Sequence, residues 1–301
     1  MKYLKWLAII LAILVVAIFI YAKIQINSAN DRLEKAYDLS IGLIPIPGDS
    51  AALARGAHLA NVLCTECHGF RFEGKMFFSD SSLAHIPAPN LTSGKGGVGS
   101  IYTDQDWLRA MRNGIKPNGR PLFVMPSKNF AYLCEADIAA VIAYLKTIEP
   151  VDLEHPAPVY TAFGKFLIGS GAFGDDIISA EVLNHAAVPE PCKEFENEVE
   201  LGKYIVNFGG CTTCHGPKLN GAASPDPHSP FSPNLTTAGN LGKWELKDFI
   251  RTMRSGVTPE GKTLDILYMP WKSIGNLNDQ ELSAMFSYLK SLEPLPEPEH
   301  D

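Results

Sequence analysis

The chain has 301 residues, 46% of them hydrophobic and 20% charged, which is apolar material for about two ordinary domains. A formal net charge of −7 argues against nucleic acid as a partner and favours a basic protein surface. Six cysteines, Cys64, Cys67, Cys134, Cys192, Cys211 and Cys214, are left for the motifs to explain.

The first predicted element covers residues 1–24. From Trp6 to Ala22 there is no charge, and the run is dense in Ile, Leu and Val. That length is at the lower limit for a helix crossing a bilayer, and the stems of Lys5 and Lys23 extend its reach. No small-x-small cleavage pattern follows, so we read an uncleaved transmembrane anchor. A cleaved secretory signal with Lys2 and Lys5 at its head is the competing reading. On either reading the remainder is exported, and the flanking Lys and Arg do not decide orientation.

Beyond the anchor the chain contains itself twice. "CTECH" at Cys64–His68 returns as "CTTCH" at Cys211–His215, and "PNLT" at Pro89–Thr92 returns at Pro233–Thr236. "RAMRNG" at Arg109–Gly114 matches "RTMRSG" at Arg251–Gly256. Met125–Pro126 matches Met269–Pro270, and "AYLKTIEP" from Ala143 matches "SYLKSLEP" from Ser287. Five matches in the same order define two homologous units, 51–150 and 199–294. A Pro-rich linker, 151–198, joins them, and residues 295–301 form an acidic tail.

Each unit predicts the same helices. A short amphipathic helix precedes the cysteines. A middle helix runs over about 104–112 and 245–254 and ends at glycine. A last helix runs over about 135–146 and 279–290, with Ile138, Val141, Ile142 and Leu145 matching Leu282, Met285, Phe286 and Leu289 at helical spacing. Asn278 reads as an N-cap, and its repeat partner Cys134 as a poorer one. No run of alternating residues suggests a sheet, so the expected fold class is all-α.

Paired cysteines serve zinc binding, disulfide exchange or haem attachment. A zinc site built from two knuckles has them close in sequence, whereas these are in separate units. A thioredoxin-like site expects a βαβ context, which is absent. Covalent haem fits every residue: two thiols one helical turn apart form thioethers, and the next histidine is held beneath the iron. The expectation is two c-type haems, on Cys64, Cys67 and His68 and on Cys211, Cys214 and His215. For the sixth iron ligand two recurring methionines compete. Met111 and Met253 lie inside the middle helix and read as core. Met125 and Met269 lie in loops stiffened by the following proline, and are the expected ligands.

With these residues in place, the chain resembles membrane-anchored, tandem class I cytochromes c, akin to the cytochrome subunits of bacterial periplasmic dehydrogenases. The resemblance covers about 53–294. It implies that Gly56 and Gly202 let the first helix cross closely against Tyr144 and Tyr288 of the last. It also implies a single-pass protein of the bacterial cytoplasmic membrane, with its haem domains in the periplasm. The implied role is electron transfer rather than enzyme catalysis, between a periplasmic dehydrogenase or respiratory donor and a small cytochrome or terminal oxidase. The alternative is a dihaem enzyme, a peroxidase or thiosulfate dehydrogenase, with Cys192 as a candidate thiolate ligand. Arg109 and Arg251 either pair with haem propionates or face solvent. His58, His85, His155, His185 and His228 are read as ordinary polar residues. Cys134 and Cys192 either pair or stay free, with free thiols at least as favoured.

Overall fold

The computed structural model describes residues 2–174, 177–224 and 229–298. Helix α1 runs from Lys2 to Glu34, so the apolar run continues without a break into a polar stalk. It is long and apolar enough to cross a membrane. Ala29 is its one buried residue, where the stalk meets the rest of the chain. Arg32 grips Glu181 at 2.7 Å and also donates to the Ile168 carbonyl. The extended segment after α1 is not a loose tether. Tyr37 N–H donates to the Gly119 carbonyl, Gln105 donates to the Ile41 carbonyl, and Ile41, Ile44 and Ile46 pack on the core.

The first unit begins with α2 (Ser50–Leu63), capped by Asp49, and α3 (Thr65–His68) carries the first histidine. Then come strands β1 (Lys75–Asp80) and β2 (Ala84–Ala88), α4 (Asp104–Leu108), α5 (Ser127–Phe130) and α6 (Glu135–Leu145). The expected middle helix is α only to Leu108 and continues as a π turn over Arg109–Asn113, ended by Gly114 at φ 67°. The segment 151–198 holds strand β3 (Val159–Tyr160) and helix α7 (Ala162–Ser170), which packs along α1. In the second unit α8 (Glu198–Phe208), α9 (Cys211–His215), α10 (Leu246–Ser255), α11 (Trp271–Ile274) and α12 (Asp279–Ser291) repeat the plan. Asn278 caps α12 through Glu281 N–H, whereas Cys134 makes no side-chain cap on α6.

The fold is predominantly helical, as expected, with one correction. Strands β1, β2 and β3 form an antiparallel sheet in that order, pairing Lys75 with Ala88 and Ala84 with Tyr160. All six residues of β1 are exposed and β3 is two residues long, so neither carries the apolar alternation that marks a half-buried strand.

In each unit the first and last helices cross at a glycine. A Cβ on Gly56 would strike the Ala140 carbonyl and the Tyr144 Cβ; one on Gly202 would strike the Ala284 carbonyl and the Tyr288 Cβ. The close crossings implied by the resemblance are therefore present in both units.

The units pack across a pseudo-two-fold axis. His58 on α2 donates to Glu281 on α12 at 2.6 Å, and its repeat partner Tyr204 on α8 donates to Asp137 on α6 at 2.8 Å. Asp137 and Glu281 are themselves repeat partners, and Arg55 bonds to both, at 2.8 and 2.9 Å. Burial opposes the Arg55 charge, but its bonds and attraction to Asp137 and Glu281 outweigh that and hold the guanidinium ionised. This is the self-complementary pattern of a two-fold interface, built within one chain.

Candidate haem sites

In the first unit the Asn61–Thr65 hydrogen bond and the short α3 turn set Cys64, Cys67 and His68 along one wall of a cavity of about 340 Å³. Met125 lines the same cavity, so the structure brings these four expected residues together. Met111 also borders it but is only 3% exposed inside the π turn, and Met253 is likewise buried within α10. In the second unit Cys211, Cys214 and His215 share α9, and Met269 sits just before α11, partly buried against the core.

Both histidines are held the same way. His68 Nδ1 donates to the Pro89 carbonyl at 2.8 Å, and His215 Nδ1 donates to the Pro233 carbonyl at 2.8 Å. Burial pushes both imidazoles below their usual range, although the carbonyl bonds oppose it; Lys75 pushes His68 the same way as burial. A neutral ring whose Nδ1 carries the proton leaves the Nε2 lone pair for a metal. The repeated PNLT thus has a mechanical meaning. Its proline carbonyl fixes the histidine, and its asparagine ties the loop to the chain beyond the last helix. Asn90 donates to the Val151 carbonyl at 2.7 Å, and Asn234 to the Leu295 carbonyl at 2.7 Å.

Burial, and secondarily each thiol's partner in the pair, pushes Cys64 up to about 12. Burial likewise pushes Cys67 up to about 11 and Cys211 up to about 12. In the folded chain these thiols are protonated and apolar in character. They suit a site where sulfur becomes a neutral thioether.

One further observation tests whether a haem fits the first cavity. The Trp107 Nε1 borders it, is buried, and has no hydrogen-bond partner among the described residues. A buried donor without an acceptor is costly, and a bound haem would supply one. The residues present therefore fit haem. Trp107 was missed in the sequence because its repeat partner is Phe249, so the repeat did not flag it. Val124, at φ 69°, was missed as well. A β-branched residue in the left-handed region is a true outlier, and it directly precedes Met125.

The other residues singled out in the sequence are engaged by protein partners, although His155 also lines the first cavity. Arg109 pairs with Asp106 at 2.7 Å and Arg251 with Asp248 at 3.1 Å, each within its own helix. His58 bonds Glu281, His85 shares a hydrogen bond with Ser79, His155 donates to the Glu73 carbonyl and His185 to the Ala180 carbonyl. His228 lies outside the described residues. Cys134 and Cys192, which the sequence leaves open between pairing and free thiols, form a disulfide with Cα atoms 4.9 Å apart. That bond also removes Cys192 as a thiolate ligand. The pairing had no local signal, since the two residues are 58 apart and only the folded linker brings them together.

Comparison with known proteins agrees with this architecture. The family described as Cytochrome c matches residues 53–149 and 199–293, well over half of the chain. The chain is 25% identical to the fructose dehydrogenase cytochrome subunit of Gluconobacter japonicus, over 82% of this chain and 54% of that protein. It is 26% identical to the cytochrome c subunit of alcohol dehydrogenase (quinone) from Gluconobacter oxydans (strain 621H), over 83% of this chain and 56% of the relative. It is also 26% identical to the gluconate 2-dehydrogenase cytochrome c subunit of Pantoea cypripedii, over 81% and 60%. The chain thus spans little more than half the length of these relatives. Two separate matches in register with the two C-x-x-C-H segments place this chain in the cytochrome c family, whose cofactor is covalently bound haem.

Proposed function

We propose that the chain carries two c-type haems and relays electrons between a periplasmic dehydrogenase and a later acceptor, a small cytochrome or terminal oxidase. Cys64 and Cys67 hold one haem by thioethers, and Cys211 and Cys214 hold the other. His68 and His215 would hold the irons through Nε2, and Met125 and Met269 would supply a sulfur ligand to each. Bound haem supplies a one-electron iron couple, and thioether ligation favours its reduced form. The chain's own work is to orient both imidazoles through proline carbonyls, to hold each methionine on a restrained loop and to exclude water from the pockets. Helix α1 anchors the protein as a single pass, with both units at the periplasmic face of the bacterial cytoplasmic membrane. A dehydrogenase as donor is suggested by relatives described as cytochrome subunits of fructose, alcohol and gluconate dehydrogenases.

The observation that carries this reading is the identical 2.8 Å tie of both histidines, each in a unit that also offers a methionine before a proline. A dihaem peroxidase or thiosulfate dehydrogenase needs one iron with a replaceable ligand, and Cys192 is committed to its disulfide. Ligand access tests the choice. Carbon monoxide added to the reduced full-length protein is expected to leave its spectrum almost unchanged, and peroxide and thiosulfate to give no steady turnover. Stoichiometric carbon monoxide binding at one haem, with turnover on either substrate, would replace the carrier by an enzyme.

A further inference from the structure

Helix α7 has no part in holding either haem, yet its position against α1 is closely determined. Phe166 meets Tyr21 edge-on with ring centroids 5.9 Å apart, and Gly169 abuts the Gln25 carbonyl so closely that a Cβ there would collide with it. An advance of three residues on α7 thus matches four on α1, so the two helices run in the same direction. Phe163 stacks on Phe166 with centroids 6.4 Å apart and stands one turn earlier. At the helical rise it lies about 4.5 Å nearer the start of α1 than Phe166 does. That is the level of Ile18 and Phe19, within the uncharged run that ends at Ala22. Phe163 is nevertheless 54% exposed.

The β1–β2 turn is fastened to the same end of α7. Thr161, the N-cap of α7, donates to the Ser82 carbonyl at 2.6 Å, and Gly164 packs on the Leu83 carbonyl. Ser81 and Ser82 are exposed at this tip, and Val159 on β3 is 56% exposed beside it.

A rigid aromatic pair at the height of the last apolar turn of a spanning helix has one natural occupant for its exposed face. We infer that α7 and the β1–β2 turn form a second membrane contact, with Phe163 and Phe166 at the boundary between hydrocarbon and headgroups. The bilayer that holds α1 is the partner, because the patch is continuous with the anchor through Tyr21 and Gln25. The sheet that leads into α7 also walls the first cavity, through Phe77, Ile86 and Tyr160. The first haem site is therefore the membrane-proximal one, and the second faces the aqueous side.

This inference rests on α1 being the anchor, and the test separates the two ideas. Single cysteines are introduced into the full-length, haem-loaded protein as Ile13→Cys, Phe163→Cys, Ser81→Cys and Leu267→Cys. Each is spin-labelled in lipid nanodiscs, and collision with oxygen is compared with collision with a water-soluble nickel chelate. Labels at 13 and 163 are expected to show an oxygen-to-nickel ratio several-fold above that at Leu267, which is 78% exposed on the second unit. The label at Ser81, an exposed position that tolerates exchange if Phe163→Cys fails to fold, is expected to fall between them. A lipid-like 13 with a water-like 163 or 81 would overturn the second contact and leave the anchor intact. It would also free the patch for a protein partner. A water-like 13 would remove the anchor and this inference together.

Discussion

The two cytochrome units are close copies inside and differ outside. Both place a non-glycine residue in the left-handed region after the histidine turn, Phe72 at φ 60° and Leu219 at φ 58°, and both use that residue's carbonyl to receive the PNLT loop. Around the methionines they part. Val124 N–H donates to the Ile177 carbonyl, and Ser179 donates to the Met125 carbonyl at 2.9 Å, so segment 177–179 pins the first loop. Among the described residues no linker segment bonds to the Met269 loop, which is held by its own turn, with Met269 N–H donating to the Asp265 carbonyl at 2.9 Å; Leu267 there is 78% exposed and Tyr268 36%. The linker thus finishes one pocket and leaves the other with an open rim. What the repeat encodes is the placement of the histidines and of the methionines proposed as ligands, and what lies outside the repeat decides how exposed the chain around each is.

Removing the ligands is the strongest way to break this comparison. Met125→Ala and Met269→Ala are each expected to abolish about half of the methionine–iron absorption band of the oxidised protein, while Met111→Ala and Met253→Ala leave it whole. The two halves should also differ under competition. Imidazole is expected to displace Met269 at lower concentration than Met125, because the linker pins the Met125 loop while the Met269 loop is held by its own turn alone among the described residues. Equal displacement, measured in the two single-alanine variants, would mean that the linker does not guard the first site.

The shared interior gives the next effect. Gly56→Ala and Gly202→Ala each push a methyl group into a backbone carbonyl, and overpacking of this kind costs about 1–3 kcal/mol. Thermal unfolding should show similar losses for the two variants. A loss confined to one of them would show that the crossings are not equivalent.

The smallest effect concerns the seam between the units. Burial raises the Glu281 carboxyl, but bonds from His58, the Asn278 N–H and Arg55 outweigh this and hold it below its usual range. A carboxylate whose folded value is depressed stabilises the fold above its unfolded value of 4.5, and that contribution fades as pH falls through the folded value. Unfolding that is one transition near neutrality is expected to separate into two as the pH falls below the unfolded carboxyl's value and through the lower, folded one. Glu281→Gln should show the separation at neutral pH and little further change on acidification. A single transition at every pH would mean that this carboxylate does not couple the units.

Much of the fold was legible because its signals are local. Leu282, Met285, Phe286 and Leu289 mark α12 within a dozen residues, and C-x-x-C-H states its chemistry in five. The contacts that escaped join distant segments. Arg55 and Glu281 are 226 residues apart, and each reads alone as an ordinary surface charge. Helix α7 has the composition of a small core helix, and nothing in "AFGKFLIGS" says that its partner is the stalk of an anchor. The π turn was hidden because Arg109–Asn113 fits helical spacing equally well in either winding.

The Cys134–Cys192 bond closes a loop that contains β3, α7 and the segment pinning Met125. In a chain-entropy estimate, a loop of this length adds about 4 kcal/mol by restricting the unfolded chain. The bond also imposes a sorting problem during maturation. On the two-haem reading proposed above, six thiols have two fates, four awaiting haem and two awaiting each other. With α1 as the anchor and the rest of the chain crossing in sequence order, Cys64, Cys67 and Cys134 emerge before Cys192. Until Cys192 arrives, the only thiols within reach of Cys134 are those that the first haem needs. On that reading maturation is a competition between oxidant and haem for the same sulfur atoms, with the length of the linker setting how long the wrong pairing stays open.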